Sequence, residues 1–210
     1  MVTVGNSMWK VALPELETRR LRLRQVCRTD ALAVFRIFSE PDLSMYDGIE
    51  RHRSISDSIE FIDFRAGGGS KHSSVVLLVL EDRVLKTVVG VCEVSALTGA
   101  RTVVQIAFIT DGRHRRTGYM KEALTTLLEF LSNTCSSMVI EASVDLKNVA
   151  CCRLLEGLGL REDLSRREVM TWMGEQRSVG VFEFLAFPMP AEGCHQVPTG
   201  PRTVAPAWPQ

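Results

Sequence analysis

The hydrophobic pattern of the chain changes its period several times, which predicts both strands and helices. Alternating apolar and polar residues, or short β-branched runs, are typical of strands, and apolar residues at helical spacing are typical of amphipathic helices. The predicted strands are 21–26, 75–80, 87–97, 101–110, 138–144, 168–172 and 179–187. The predicted helices are 30–39, 54–65, 117–131 and 149–158. This order predicts an α+β fold, with a mixed, mostly antiparallel sheet flanked by helices.

Composition divides the chain into three segments. All the predicted strands and helices fall within residues 17–187, which we interpret as one domain, and 210 residues are the size of one domain with a tail. Residues 1–16 precede it as an N-terminal extension. Residues 188–210 are crowded with proline and contain few large apolar side chains, which predicts a disordered tail.

The charge balance argues against two classes of partner. Lys and Arg number 25, as do Asp and Glu, so no net field attracts nucleic acid or a membrane surface. No apolar run approaches the ~20 residues that span a bilayer, and residues 1–10 lack a secretory signal. The six cysteines have neither CxxC nor zinc-finger spacing. We therefore expect a cytoplasmic protein with mostly buried, reduced thiols and no bound metal.

The segment Arg113–Leu124 carries the clearest chemical signal. A β-rich run ends just before it, a short basic turn follows, and an amphipathic helix begins near Gly118. The first N–H groups of a helix have no intrahelical partner, and the helix dipole favours negative charge there. The turn therefore predicts a site for an anion such as a pyrophosphate. Nucleic-acid contact is the weaker interpretation, because no aromatic residues are interleaved with residues 113–116.

Three blocks of the sequence resemble the GNAT family of acetyltransferases, and they occur in the family's order. Within Arg115–Leu124, the pattern Arg-x-x-Gly-x-Met resembles the acetyl-CoA signature R/Q-x-x-G-x-G/A. The segment Asn148–Leu160 resembles N-x-A-S-x-R-x-L-E-K-L-G-F of the RimJ/RimL-like branch, which acetylates ribosomal-protein N-termini. The segment Glu17–Arg24 resembles that branch's E-T-x-R-L-x-L-R.

The resemblance implies a function and a set of binding residues. It implies an N-acetyltransferase in which an amine attacks the thioester of acetyl-CoA directly. By analogy with the resembled branch, the expected acceptor is a protein N-terminal amine. The implied cofactor-binding residues are Phe108, Ile109, Thr110, Arg115, Arg116, Thr117, Gly118, Tyr119, Met120 and Asn148. Backbone N–H groups near Phe108 and Ile109, beside a splayed strand, would polarise the thioester carbonyl. Arg116 stands where many members have glycine, and its guanidinium would add a phosphate contact.

Two residues are candidates for proton transfer. Cys151 stands where the resembled branch has a serine that serves as general acid, and the chain lacks the tyrosine that many GNAT enzymes use near this helix. A thiol there would protonate the departing thiolate, whose ordinary pKa is ~8.5, and a packing role is the alternative. Glu93 is the candidate general base, directly or through water, and a solvent-facing strand carboxylate is the alternative. Gln105 occupies a position often held by glutamate and cannot accept a proton.

Two other functions stay open from the sequence alone. The departures at Gln105 and Cys151 are compatible with a non-catalytic module of GNAT fold that binds CoA or a protein partner. A small-molecule acetyltransferase, acting on polyamines or antibiotics, would share the cofactor but not the acceptor. An acidic pocket formed by Asp47, Glu50 and Glu93 would favour polyamines, and an open groove would favour peptides. His52 lies in the same loop and has a suitable ordinary pKa, although a lone loop histidine is more often simply exposed.

Overall fold

One mixed sheet, covered by helices on both faces, organises the chain. The computed structural model describes residues 13–41, 43, 51–66, 74–97, 102–134, 138–172 and 174–185. The strands are β1 (Leu16–Glu17), β2 (Leu21–Gln25), β3 (Ser74–Asp82), β4 (Val88–Leu97), β5 (Thr102–Thr110), β6 (Met138–Asp145), β7 (Arg161–Trp172) and β8 (Glu175–Leu185). The helices are α1 (Ala31–Phe38), α2 (Ile55–Ala66), α3 (Tyr119–Thr134) and α4 (Val149–Glu156), with 3₁₀ turns at Arg28–Asp30 and Gly112–His114.

The strand order creates a gap in the middle of the sheet. The order is β1-β2-β3-β4-β5-β6-β8-β7, and among the described strands only β5 and β6 are parallel neighbours. Their pairing starts at Thr102↔Met138 and ends at Gln105↔Glu141, while β6 stays paired with β8 as far as Asp145. Residues 106–110 of β5 therefore separate from β6. The register confirms a mixed, mostly antiparallel sheet, and it is splayed beside Phe108, where the family resemblance implied a splayed strand.

The two faces of the sheet have separate hydrophobic cores. On one, which we call the α3 face, the buried leucines of α3 pack with Leu155 of α4 and with Val104 and Ile106 of β5. On the other, the α2 face, Ile37 and Ile62 from α1 and α2 are buried with β-strand residues. Because successive strand residues point to opposite faces, each strand beside the gap contributes side chains to both.

The structure corrects several predicted boundaries. Strands β7 and β8 begin at Arg161 and Glu175, well before the predicted 168–172 and 179–187. The missed parts are rich in charged residues because β7 is an edge strand, and its pairing is interrupted between Asp163 and Glu168. Helix α3 begins two residues later than predicted, since Gly118 has a φ of 80° that no right-handed helix contains. The two-residue strand β1 was also missed.

The cysteine prediction is partly wrong. Of the four cysteines that the structure describes, only Cys92 is buried, while Cys27 is exposed and Cys151 and Cys152 are half-buried. Cys27 precedes the first 3₁₀ turn, and the adjacent pair lies in the first turn of α4, so neighbouring elements cover these side chains incompletely.

Some predictions concern residues that the structure does not describe. Most of the N-terminal extension, the whole proline-rich tail, and Asp47 and Glu50 lie outside the described residues. Within the described ranges, no helix is long and apolar enough to cross a bilayer. No group of three or more acidic, histidine or cysteine side chains there has the geometry of a metal site.

Candidate active site

The turn between β5 and α3 contains two residues in the left-handed backbone region. Arg116 has a φ of 61° and Gly118 a φ of 80°. Glycine adopts such angles at little cost, whereas a left-handed conformation costs an L-residue about 1–2 kcal/mol. This explains why a glycine is common at the position of Arg116 in the resembled family. The two reversals of the chain bring the turn to the start of α3, where the first amides have no intrahelical partner.

The segment around Arg20 holds this turn in place. The Glu122 carboxylate on α3 accepts hydrogen bonds from Thr18 Oγ1 at 2.6 Å, and from Arg20 N and Nε at 2.8 and 2.6 Å. Arg20 Nη1 donates to the Thr117 carbonyl at 3.0 Å, and its guanidinium lies 4.4 Å from the Tyr119 ring centroid. Burial tends to raise the pKa of Glu122, but the hydrogen bonds from Thr18 and Arg20 outweigh it and lower the pKa.

This clamp was not predicted from the sequence, although a signal for it was present. The segment Glu17–Arg24 was recognised only as a family-like block, and the structure shows that its Thr18 and Arg20 contact Glu122 in the block Arg115–Leu124 directly.

Tyr119 and Met120 anchor the start of α3 through their side chains. The Tyr119 hydroxyl donates a hydrogen bond to the Asp82 carboxylate, and this bond is the main reason that its pKa is raised. Asp82 also accepts from the backbone of the hairpin between β3 and β4, at Val84 and Leu85. The Met120 side chain is buried in the core of the α3 face. Their backbone amides, rather than these side chains, are therefore the groups they can offer to an anion.

Helix α1 and the residues that directly follow it contact the other side of the turn. Glu40 accepts a hydrogen bond from Gly112 N at 2.5 Å and forms an ion pair with Arg115.

Asp111, directly after β5, is held by two arginines. Arg36 Nε lies 2.7 Å from the buried carboxylate of Asp111, which Arg113 also contacts. Burial opposes ionisation of Asp111, but these two guanidinium groups hold its pKa well below the usual range. The Thr117 hydroxyl donates to the His114 carbonyl at 2.6 Å.

The strand register decides which amides of β5 point into the gap. Asp111 N donates to Val89 O at 3.0 Å, so residue 111 faces β4. Hydrogen bonding alternates along an antiparallel pair. The backbone N–H of Ile109 therefore also points to β4, whereas the backbone N–H groups of Phe108 and Thr110 point into the gap. Of the two amides expected to polarise a thioester, Phe108 has the required orientation. The expectation for Ile109 is wrong, since its amide points to its partner Val91.

Asn148 closes the β6 side of the gap as the N-cap of α4. Its side-chain Oδ1 accepts a hydrogen bond from Cys151 N at 3.1 Å, and its backbone N–H donates to Asp145 O at 2.8 Å. Cys151 and Cys152 pack beside the core of the α3 face. Burial, reinforced by nearby carboxylates, raises the pKa of Cys152 and favours its neutral thiol. The cap predicted for Asn148 is confirmed, and the acid role of Cys151 stays a prediction.

Glu93 is buried on the α2 face, so the alternative of a solvent-facing carboxylate is wrong. It pairs with Ala107 of β5 in the sheet register, next to Phe108. Arg65 Nη1 lies 3.2 Å from Glu93 Oε2, an oxygen that accepts no hydrogen bond among the described residues. Burial raises the pKa of Glu93 to about 7, and the charge of Arg65 acts in the opposite direction.

The other acidic side chains of the α2 face are also paired with arginine. Arg166 Nη1 lies 2.6 Å from buried Glu141 and 2.7 Å from Glu183. Arg177 lies 3.5 Å from Asp145, which is buried at the end of β6. This face of the gap therefore contains buried carboxylates whose charge is largely balanced.

His52 is not the exposed loop histidine that the sequence suggested. Its ring stacks on Phe38 at a centroid distance of 4.7 Å and meets Phe61 edge-on. Its Nδ1 lies 2.8 Å from the oxygen of buried Ser58. These contacts give the imidazole a packing role between α1 and α2.

Comparison with known proteins assigns the family. Residues 20–161 match the family model described as the acetyltransferase (GNAT) domain, so the chain belongs to the GNAT family. It is 28% identical over 173 residues to the uncharacterized N-acetyltransferase YoaA of Bacillus subtilis, covering 82% of this chain and 97% of that one. It thus uses acetyl-CoA as its acetyl donor and acts as an N-acetyltransferase.

Two solved structures show the same fold at low sequence identity. The spermidine N-acetyltransferase of Vibrio cholerae, in complex with CoA and spermine, superposes with a TM-score of 0.67 at 18% identity, covering 80% of this chain and 97% of that chain. The ribosomal-protein-S5-alanine acetyltransferase of Vibrio fischeri gives a TM-score of 0.61 at 13% identity, over 82% and 97% of the two chains. Their acceptors differ, so the fold leaves the acceptor of this chain open.

The residues present fit a CoA thioester. The left-handed turn, the start of α3 and the basic residues 113–116 suit a pyrophosphate, and the gap beside β5 offers backbone amides to an extended arm. Acetyl-CoA, when bound, supplies an activated acetyl group. The protein contributes orientation, hydrogen-bond donors and groups that can exchange protons.

Proposed function

We propose that this chain acetylates the α-amine of a protein N-terminus, as in the RimJ/RimL-like branch of the family. The observation that supports this acceptor is the charge balance of the α2 face, where the described buried carboxylates Glu93, Glu141 and Asp145 each have an arginine beside them. A polycationic acceptor would be favoured by a surplus of negative charge. A peptide N-terminus carries a single amine and needs no such surplus.

The α-amine also suits the weak base that this site offers. Its ordinary pKa of about 7.7–8.0 leaves a part of it neutral at physiological pH, whereas a lysine at ~10.4 is almost fully charged. A buried carboxyl whose pKa is about 7 can accept a proton from such an amine. Glu93 takes this proton in our proposal, directly or through one water.

The remaining residues position the donor. The amides of the turn from Arg115 to Met120 bind the pyrophosphate, and Asn148 and the amides of Phe108 and Thr110 bind the arm and the thioester carbonyl. The amine nitrogen forms a bond to the carbonyl carbon and the carbon–sulfur bond breaks. The thiolate receives a proton from Cys151, which lies at the start of α4 on the β6 side of the gap.

A comparison of acceptors tests the proposal. Release of the CoA thiol is measured with acetyl-CoA and either a panel of peptides with free N-termini, the same peptides with blocked N-termini, or spermidine. We expect turnover with free peptides and little with the other two. Higher kcat/KM for spermidine than for every peptide would contradict the proposed acceptor.

A further inference from the structure

Arg65 brings a positive charge into the interior of the α2 face. It lies in the last turn of α2, and its side chain is only 3% exposed. Its Nη1 is 3.3 and 3.2 Å from the two carboxylate oxygens of Glu93. Phe61 and Phe64 flank the guanidinium, with ring centroids 5.2 and 5.7 Å away. Burying an arginine and a carboxylate together costs desolvation free energy, which their mutual attraction offsets only in part.

We propose that Arg65 is a positioning residue of the reaction, which keeps Glu93 ionised and turned toward the gap between β5 and β6. This inference rests on the proposed role of Glu93 as general base. Arg65 itself touches neither the acetyl group nor the amine in this account. It acts through the carboxylate that it contacts.

The groups around Glu93 make Arg65 the source of this effect. In the sheet register the neighbours of Glu93 are Leu77 on β3 and Ala107 on β5, which carry no charge. On its own strand Cys92 is a neutral thiol, because burial and the charge of Glu93 raise its pKa. Among the described residues, the charge that acts on Glu93 therefore comes from α2.

The balance of two opposing effects is what suits Glu93 to base catalysis. Burial alone would favour the neutral acid, which cannot accept a proton. The nearby guanidinium favours the carboxylate, and arginine is suited to this task because it stays protonated when buried. Together they place the pKa of Glu93 at about 7, where a base is both ionised and able to take a proton.

The geometry also connects the base to helix α2. The carboxylate oxygen Oε2 is buried and lies 3.2 Å from Arg65 Nη1, but it accepts no hydrogen bond from the described residues. In this proposal a bound amine or a water supplies that hydrogen bond. Arg65 fixes this orientation from a helix that is packed on the sheet through Ile62. A lysine would supply the charge on a more flexible stem, without the rigid guanidinium that holds Nη1 between the two carboxylate oxygens.

A titration of the Glu93 carboxyl tests the inference without an acceptor. The protein is labelled with carboxyl-¹³C glutamate, and the Glu93 resonance is assigned by its loss in Glu93→Gln. In wild type we expect a midpoint near the pKa of about 7. In Arg65→Gln it should rise by about one unit or more, because an opposite charge within reach lowers a carboxyl pKa by that amount. Arg65→Lys should stay closer to wild type.

The pH profile of acetyl transfer to a free-N-terminus peptide completes the test. Acetyl transfer needs ionised Glu93, so the rate should rise with pH as Glu93 loses its proton. In Arg65→Gln this rising limb of the profile should move to higher pH, and kcat should recover at pH values above it. The control is Arg28→Gln, which removes the exposed pair between Arg28 and Asp63 of α2 and should leave the limb unchanged.

The two proposals fail in different ways. If Glu93→Gln keeps the wild-type rate and limb, the base role of Glu93 is wrong. If Glu93→Gln removes the limb but Arg65→Gln changes neither the midpoint nor the limb, the role of Arg65 is wrong and the base stands. If Arg65→Gln does not fold, Arg65→Lys replaces it in both measurements: its more flexible charge should raise the Glu93 midpoint and move the limb to higher pH, by less than a full loss of the charge would. No rise in either quantity would overturn the role of Arg65.

Discussion

Arg20 and Glu122, which are 102 residues apart in the chain, form a salt bridge of 2.6 Å beside the turn that precedes α3. Arg20 also donates to the Thr117 carbonyl within that turn. Its guanidinium thus contacts both the turn and the first turn of the helix that the pyrophosphate is expected to face. The bond links the N-terminal strand region to the cofactor site and makes its geometry depend on a residue far from it in sequence.

Arg20→Gln should weaken CoA binding more than it weakens the fold. The turn would lose its charged hydrogen bonds, which contribute ~1.5–3 kcal/mol each, so we expect the Kd for CoA to rise about tenfold or more. Isothermal titration with CoA measures this. The control is Arg22→Gln on β2, two residues further along the chain, which removes a pair with Glu15 that is exposed to solvent. Equal Kd values for the two variants would contradict a role of Arg20 in the turn.

Arg116→Gly should stabilise the protein. Glycine relieves the left-handed strain of about 1–2 kcal/mol but loses ~0.5–1 kcal/mol through chain entropy, which leaves a gain of roughly 0.5–1 kcal/mol. Urea unfolding measures the change. The matched control is Arg115→Gly, at a φ of −64°, which should destabilise. If the Arg116 guanidinium contacts a phosphate, the same variant should also bind CoA less tightly, and an unchanged Kd would refute that contact.

Glu40→Gln should increase the affinity for CoA. The Glu40 carboxylate accepts from Gly112 N and pairs with Arg115, so it brings negative charge to the site expected for phosphates. Neutralising one charge at a partly exposed position is worth up to about 1 kcal/mol, or a few-fold in Kd, and the gain should shrink in high salt. The control is Glu15→Gln, which removes a carboxylate paired with Arg22 on β2, away from the turn. A lower affinity in Glu40→Gln would show that Glu40 supports the site instead.

The sequence predicted the fold and the turn well because both depend on local signals. Hydrophobic periodicity gave the order of the elements, and the basic turn before α3 was located to within two residues, because the left-handed Gly118 delays the start of the helix to Tyr119. Contacts between distant segments carried no such signal, which is why the clamp of Arg20 on Glu122 was missed. The burial of Glu93 was left open for a related reason: α2 covers that strand, and no local pattern shows which strand a helix covers. Asn148 was correctly assigned as a cap because its hydrogen bond is local.

Variants of Cys151 distinguish a packing role of its thiol from a role as general acid. If its thiol protonates the leaving group, Cys151→Ala should lower kcat by a factor on the order of 10²–10⁴ with little change in CoA affinity, and Cys151→Ser should retain more activity. Cys152→Ala, the neighbouring half-buried thiol, controls for lost packing. Steady-state kinetics with one peptide acceptor measures all three. Wild-type kcat in Cys151→Ala would leave protonation of the thiolate to water.

The central claim is that acetyl-CoA binds with its pyrophosphate at the turn from Arg115 to Met120, and Gly118→Pro tests it most directly. Proline removes the amide at 118 and cannot adopt the φ of 80° found there. Gly174→Pro makes the same change at a φ of 83° between β7 and β8, at an edge of the sheet. Isothermal titration with CoA should show at least about a tenfold weaker Kd for Gly118→Pro and a near-normal Kd for Gly174→Pro. A Gly118→Pro variant that is folded by circular dichroism and binds CoA as tightly as wild type would contradict the account.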